Sequence, residues 1–181
     1  MRIFNTSGPC DPDKHYTLMR ETLVTKGQAL VEQERYFTIF APRQAGKTTY
    51  FQLMFRQLEQ LGYTPIWISF ESFKTIDSAK FYRTLNRLLH RELAKYEVTF
   101  DYVIEDQIDL QEFMEEIPNQ NRKIVLVIDE FEDIPDEVLS ELMHAFRALY
   151  QQREHHALRA LILVGVSTLA EIVVSSASPF N

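Results

Sequence analysis

Two stretches of this sequence carry residues whose types and spacing suit phosphate chemistry. The first is Phe40-Ala41-Pro42-Arg43-Gln44-Ala45-Gly46-Lys47-Thr48-Thr49. Gly46-Lys47-Thr48 ends a phosphate-binding loop of the form GxxxxGK[ST], with Ala41 where the first glycine usually stands. Such a loop offers backbone N–H groups to phosphate oxygens, and the helix behind it adds its positive N-terminal end. Gly46 lets the backbone bend without a Cβ clash. Lys47 places an ammonium at the β- and γ-phosphates of ATP, and the Thr48 hydroxyl suits Mg2+. Residues 42–49 are therefore the expected nucleotide contacts. The second stretch is Ile124-Val125-Leu126-Val127-Ile128 followed by Asp129-Glu130. Asp129 would hold Mg2+, directly or through water, opposite Thr48. Glu130 can orient and polarise water for attack on a γ-phosphate, which favours hydrolysis over binding alone.

These side chains need rigid elements behind them. An apolar run predicts a strand at about Tyr36–Ala41, and helical spacing predicts a helix at about Lys47–Leu61. The inner side of that helix is read as Tyr50, Leu53, Met54, Leu58 and Leu61, and Gly62 ends it. Before them, residues 1–19 read as an irregular lead, and Arg20–Gln33 fits a helix loosely, weakened by Gly27. Thr64–Phe70 is nearly continuous in apolar character, as a buried parallel strand should be, with Glu71 at its end. Asp77-Ser78 caps a long helix to about Tyr96, with Phe81, Leu85, Leu88, Leu89 and Leu93 facing inward. Asp109 is read as the cap of a short helix, Leu110–Ile117, and residues 118–121 as a turn. The strand Lys123–Ile128 runs into Asp129. A helix at about Pro135–Arg153 follows, then a fourth strand at about Arg159–Val166, a short helical turn at Leu169–Val174 and a polar tail.

Strands alternating with helices of this length predict a parallel sheet with right-handed crossovers. Ligands of such sheets sit beyond the carboxyl ends of the strands. Gly46-Lys47, Glu71, Asp129-Glu130 and Ser167 all fall at those ends. In P-loop ATPases with a glutamate after the second-motif aspartate, the fourth strand lies between the strands bearing the two motifs. Its tip offers a polar residue near the γ-phosphate, here Ser167, with Thr168 in reserve. Glu71 either joins the water network or caps a turn. Glu132, Asp133, Asp136 and Glu137 read as acids gathered at a helix N-terminus for dipole reasons. The five histidines show no metal-site spacing and read as structural or solvated.

Composition sets the limits. At 181 residues, one domain with a real core is expected. A net charge of −7 without a Lys/Arg block argues against a dominant nucleic-acid footprint, although a local patch stays open. The single cysteine, Cys10, makes no intramolecular disulfide and suits a reducing cytosol. The first residues lack the apolar core of a signal peptide, and no apolar run reaches the roughly 18 residues of a membrane span. A cytoplasmic protein is expected.

Phe4-Asn5-Thr6, Gly8-Pro9, His15-Tyr16, residues 41–49, Ile128-Asp129-Glu130, Gly165-Val166-Ser167 and Ser178-Pro179-Phe180-Asn181 together resemble the bacterial AAA-like ATP-binding domain. That family is related to archaeal-type ATPases and STAND signalling NTPases. The resemblance spans almost the whole chain. It implies a three-layer α/β P-loop NTPase of the ASCE type with a mostly parallel sheet, residues 1–34 forming a lead and helix and 35–181 the core. It also implies that Tyr16, Thr17 and Arg20 contact base or ribose. Similar proteins continue into a further strand and usually a helical or winged-helix region, so the reading is of a core that stops after the fourth strand, either as a fragment or with those elements supplied by another chain. An arginine finger would then come from a homo-oligomer or partner chain, with Arg122, Arg147, Arg153 and Arg159 as the residues able to serve in trans. The expected activity is hydrolysis of Mg-ATP to ADP and phosphate, slow in this chain alone, for switching or remodelling. The alternative is a truncated, non-hydrolysing nucleotide-binding module. A small-molecule kinase would need an Arg-rich lid, which the sequence lacks.

Overall fold

The computed structural model describes residues 2–6, 8, 10, 11, 13–42, 44–117 and 122–166. Five helices and four strands follow in the order α1 (Glu21–Glu32), β1 (Tyr36–Phe40), α2 (Lys47–Gln60), β2 (Thr64–Ser69), α3 (Ser78–Ala94), α4 (Gln107–Glu116), β3 (Ile124–Asp129), α5 (Asp136–Gln151) and β4 (Leu158–Gly165). A single 3-10 turn, Phe131–Asp133, separates β3 from α5. The four strands form one parallel sheet in the order β1-β4-β3-β2. β4 therefore lies between β1 and β3, as expected from the sequence.

Alternation along β3 explains the layers. Successive side chains of a strand point to opposite faces. Leu126 and Ile128 join a core with Phe81 and Leu89 of α3, Phe113 of α4 and Phe146 of α5. Val125 and Val127 join a second core with Val24 of α1 and Phe51, Met54 and Leu58 of α2. Two helices cover one face and three cover the other. Every residue of β3 is buried, which is why its sequence is an unbroken apolar run. β2 is an edge among the described strands, and this is how it tolerates Pro65. Thr64 donates its N–H to Lys123, and the Pro65 carbonyl accepts from the Tyr96 hydroxyl at 2.8 Å.

Three local expectations change. The cap of α4 is Asp106, so the helix begins at Gln107 and not Leu110. Asp106 accepts the Ile108 and Asp109 N–H groups, while Asp109 turns back to accept the Glu105 N–H at 2.8 Å. Both acids are used, in the reciprocal manner of a capping box. On α2, Phe51 is fully buried in the core and Leu61 is exposed, since Phe51, Met54 and Leu58 share one face at helical spacing. Gly27, read as a weak point of the helix, also has a packing role. A Cβ there would run into the Tyr50 hydroxyl and the Met54 sulfur, so its absence lets α1 press against α2. The turn at 118–121 and the helical turn at Leu169–Val174 lie outside the described residues. Among the described residues, no helix is long and apolar enough to cross a membrane.

His156 is a structural histidine, as expected. It is buried, its Nδ1 accepts the Leu158 N–H at 3.1 Å, and its Nε2 lies 2.6 Å from the Leu149 carbonyl. It thereby ties the end of α5 to the start of β4. Burial pushes its pKa below the ordinary 6.5. The unfolded chain then binds more protons than the folded one as pH falls below about 6.5, so folded stability must fall there. We expect the melting temperature to drop between pH 7.5 and 5.5, and His156→Gln to flatten that drop while lowering stability at pH 7.5. Each unit of pKa difference corresponds to about 1.4 kcal/mol. An unchanged pH slope in His156→Gln would remove His156 as the cause.

Candidate functional site

The site grows from the carboxyl ends of β1, β4, β3 and β2. The strand β1 ends in a loop that β4 holds in place: Ala41 donates its N–H to the Gly165 carbonyl at 3.0 Å. Gln44 and Gly46 both adopt left-handed conformations, with φ of 62° and 80°. These curl the chain back onto the start of α2. No side chain caps that helix, whose first turn is Lys47, Thr48 and Thr49. The first N–H groups of a helix have no intrahelical acceptor, so this end offers donors to an anion. Gly46 is favoured as glycine by its φ of 80°, and the Arg20 guanidinium lies beside it, with Nη2 3.0 Å from where a Cβ would stand.

Lys47 reaches across to β3. Its Nζ lies 3.0 Å from Oδ1 of Asp129, and the two side chains are 13% and 12% exposed. The same Oδ1 accepts the Glu130 N–H at 3.0 Å. Glu130 stands at φ 55°, ψ 44°, a left-handed conformation that costs a non-glycine residue about 1–2 kcal/mol. This turn aims its carboxylate at the tip of β2, where the Ser69 hydroxyl donates to Oε2 at 3.4 Å. Ser69 also accepts the Glu71 N–H. Desolvation first, then the charges of Glu71 and Asp129, raise the Glu130 pKa, against the opposing pull of Lys47 and Ser69.

Lys47, Asp129, Glu130 and the tip of β2 are thus brought together, as the sequence predicts. Glu71 acts on the site through its backbone N–H and its charge. Thr48 is exposed on the first turn of α2, and Thr49 faces the N-terminal segment, where its Oγ1 accepts the Cys10 N–H at 3.2 Å. The ring of Tyr16 packs on Phe4 with centroids 4.9 Å apart, and Thr17 bonds the His15 carbonyl. Arg20 lies closer to the loop and, with Lys26, Phe40 and Tyr50, lines a cleft of about 450 Å3 between α1, β1 and α2. Arg43, Ser167 and Thr168 lie outside the described residues. Ser69 went unread in the sequence. Its signal was a lone hydroxyl at the end of an apolar strand, but only the register Ser69↔Asp129 brings it to Glu130.

Magnesium fits this donor set in one way. Among the described residues no group of three or more His, Cys, Asp or Glu side chains converges to cage a metal. Asp129 and the Thr48 hydroxyl suit a hard cation that keeps most of its ligands from phosphate and water.

A family model described as the AAA domain matches residues 31–173. The Walker-type ATPase of Pyrococcus abyssi is similar in structure, with a TM-score of 0.70 and 13% identity over 97% of this chain and 53% of that one. Cdc6p from Pyrobaculum aerophilum gives 0.61 and 14% over 90% and 43%, and Drosophila ORC bound to DNA gives 0.60 and 13% over 90% and 28%. The chain therefore spans about half or less of each structure, and at these identities the likeness concerns the fold. No curated protein matches the sequence significantly.

The hydrogen bond from Ser69 holds the Glu130 pKa down against its surroundings. Ser69→Ala should raise it further, read by carbon NMR titration of the Glu130 carboxyl. A pKa that stays put or falls would show that Ser69 does not reach Glu130 in solution.

Proposed function

The chain belongs to the AAA domain family, and on that premise we propose that it binds Mg-ATP on residues 42–49 and hydrolyses it to ADP and phosphate. Its core is an AAA-type P-loop ATPase domain. The observation that carries the hydrolytic reading is the convergence of Lys47 from α2, Asp129 at the end of β3 and Glu130 just after it on one end of the sheet.

Lys47 pairs with Asp129. The phosphates of ATP compete for the ammonium, and the freed Asp129 carboxylate is then available, with the Thr48 hydroxyl, to hold the metal. Held by Asp129 and Thr48, Mg2+ would supply positive charge against the phosphates. The N–H groups at the start of α2 and the ammonium of Lys47 fix the phosphates in place. Glu130 polarises the attacking water, and a raised pKa makes it a stronger base than an ordinary carboxylate. Activity should accordingly decline as pH falls through the Glu130 pKa. Ser167 is assigned to the γ-phosphate side, and Tyr16 and Thr17 to base and ribose. Arg20, with its guanidinium against Gly46, adds a second cation at the phosphate end.

An arginine finger is assigned to another chain of an oligomer or to a partner. Arg122 donates to the Tyr96 carbonyl, and Arg159 donates to the Arg153 carbonyl and faces Glu34, so both have local partners before β3 and early in β4. Arg147, exposed on α5, has the reach to serve a neighbour. The net charge of −7 keeps DNA out of the leading role, although ORC was solved bound to it. The ATP cycle would serve switching or remodelling, and the lone Cys10 suits a reducing cytosol.

Phosphate release and ATP binding by the parent, Lys47→Ala and Glu130→Gln test this reading. Lys47→Ala should lose ATP binding. Glu130→Gln should keep it and slow phosphate release by about 10²–10⁴-fold, the usual worth of a positioned base. A parent that binds ATP but releases no phosphate, even when concentrated, would leave a nucleotide-binding module in place of an ATPase.

A further inference from the structure

The acids after β3 do not form one solvated group. Asp133 accepts the Ser72 N–H at 3.0 Å, and Asp136 pairs with Lys74. Glu132 does something else. It turns inward from the 3-10 turn and accepts the Val166 N–H on Oε1 at 3.0 Å. Its Oε2 is buried with no hydrogen-bond partner among the described residues. Between the two lies Gly165, the last residue of β4. A Cβ at Gly165 would stand 2.6 Å from Oε2 of Glu132 and 2.6 Å from Cε1 of Phe131. The strand ends in glycine because the turn fills that space.

The cost of this arrangement calls for a return. A buried oxygen without a donor loses about 1–3 kcal/mol. An acid meant only for the dipole of α5 would stay in water. What the arrangement fixes is position. Gly165 also accepts the Ala41 N–H that starts the phosphate loop, so the tip of β4 joins that loop on one side to the Glu130 turn on the other.

We infer that Glu132 is a positioning residue that latches the tip of β4, through the Val166 N–H, to the turn carrying Glu130. The chain leaving β4 and the water-polarising carboxylate then keep one fixed relation during hydrolysis. This rests on the hydrolytic reading above, and Glu132 touches no nucleotide in it.

Three variants of the full chain test the latch. Glu132→Gln keeps a carbonyl oxygen for Val166. Glu132→Ala removes it, and Glu132→Asp keeps the charge but falls one methylene short. Val166 amide exchange by NMR reads the bond without any need for turnover. Ala and Asp should speed that exchange about tenfold or more, leave the Mg-ATP Kd within about threefold, and slow phosphate release by roughly 10–100-fold, as a small misplacement does. Gln should stay near the parent in all three. Unchanged Val166 exchange in both Ala and Asp overturns the latch. Faster exchange with phosphate release within about twofold of the parent overturns its positioning role, as does a Gln variant as slow as Ala. If Ala fails to fold, Asp carries the comparison. A parent that releases no phosphate overturns the hydrolytic reading and the positioning role with it, while Val166 exchange still decides whether the bond exists.

Discussion

The ion pair between Lys47 and Asp129 is the contact around which this molecule is arranged. It joins the first helical residue after the phosphate loop to the last residue of the central strand β3. Nothing local brings the two together, since they lie 82 residues apart in the chain. The sheet does it, by setting β4 between β1 and β3 and ending all of them at one level. Both side chains are mostly shielded from water, so the pair is a poor stabiliser: desolvation offsets much of the attraction. In the proposed cycle each partner holds the other in place until phosphates and a metal compete for them.

The charges around the pair explain its neighbours. Asp129, Glu130 and Glu71 gather at the strand tips, and Lys47 answers only part of their charge. An excess of acid is costly by itself and suits the proposed uptake of a cation with the substrate. Glu130 bears the largest share of the cost. It has a left-handed backbone, a desolvated carboxyl and one weak bond to Ser69. Strain of this kind persists where the surrounding structure fixes it. The surroundings here are the buried Phe131, the Ser69 hydroxyl and the Glu132 link to β4.

Much of this was legible in the residues. The unbroken apolar run of β3 marked a strand buried on both faces, and its end placed Asp129 and Glu130. Gly46-Lys47-Thr48 placed the loop, because a left-handed turn into a helix favours glycine. What stayed hidden depended on contacts between distant elements. Ser69 is one hydroxyl in an apolar strand until the register sets it beside Asp129. Gly27 looks like a weak spot in a helix until Tyr50 and Met54 occupy the space above it. Glu132 looks like any acid at a helix start until Gly165 makes room for it. Asp106 and Asp109 show a subtler limit, since two acids three apart both suit a cap and the chain uses both.

In the proposed cycle Lys47 and Asp129 hold each other until nucleotide and metal part them. Calorimetric titration of Asp129→Asn with ATP, once with excess chelator and once with Mg2+, tests it most directly. Removing the aspartate frees the ammonium, so metal-free ATP should bind more tightly to Asp129→Asn than to the parent, by about five- to tenfold for an interaction near 1 kcal/mol. Magnesium should then add much less affinity than it adds in the parent. Equal metal-free affinities in the two proteins, with the same gain from Mg2+, would mean that the pair restrains neither partner and would contradict the account.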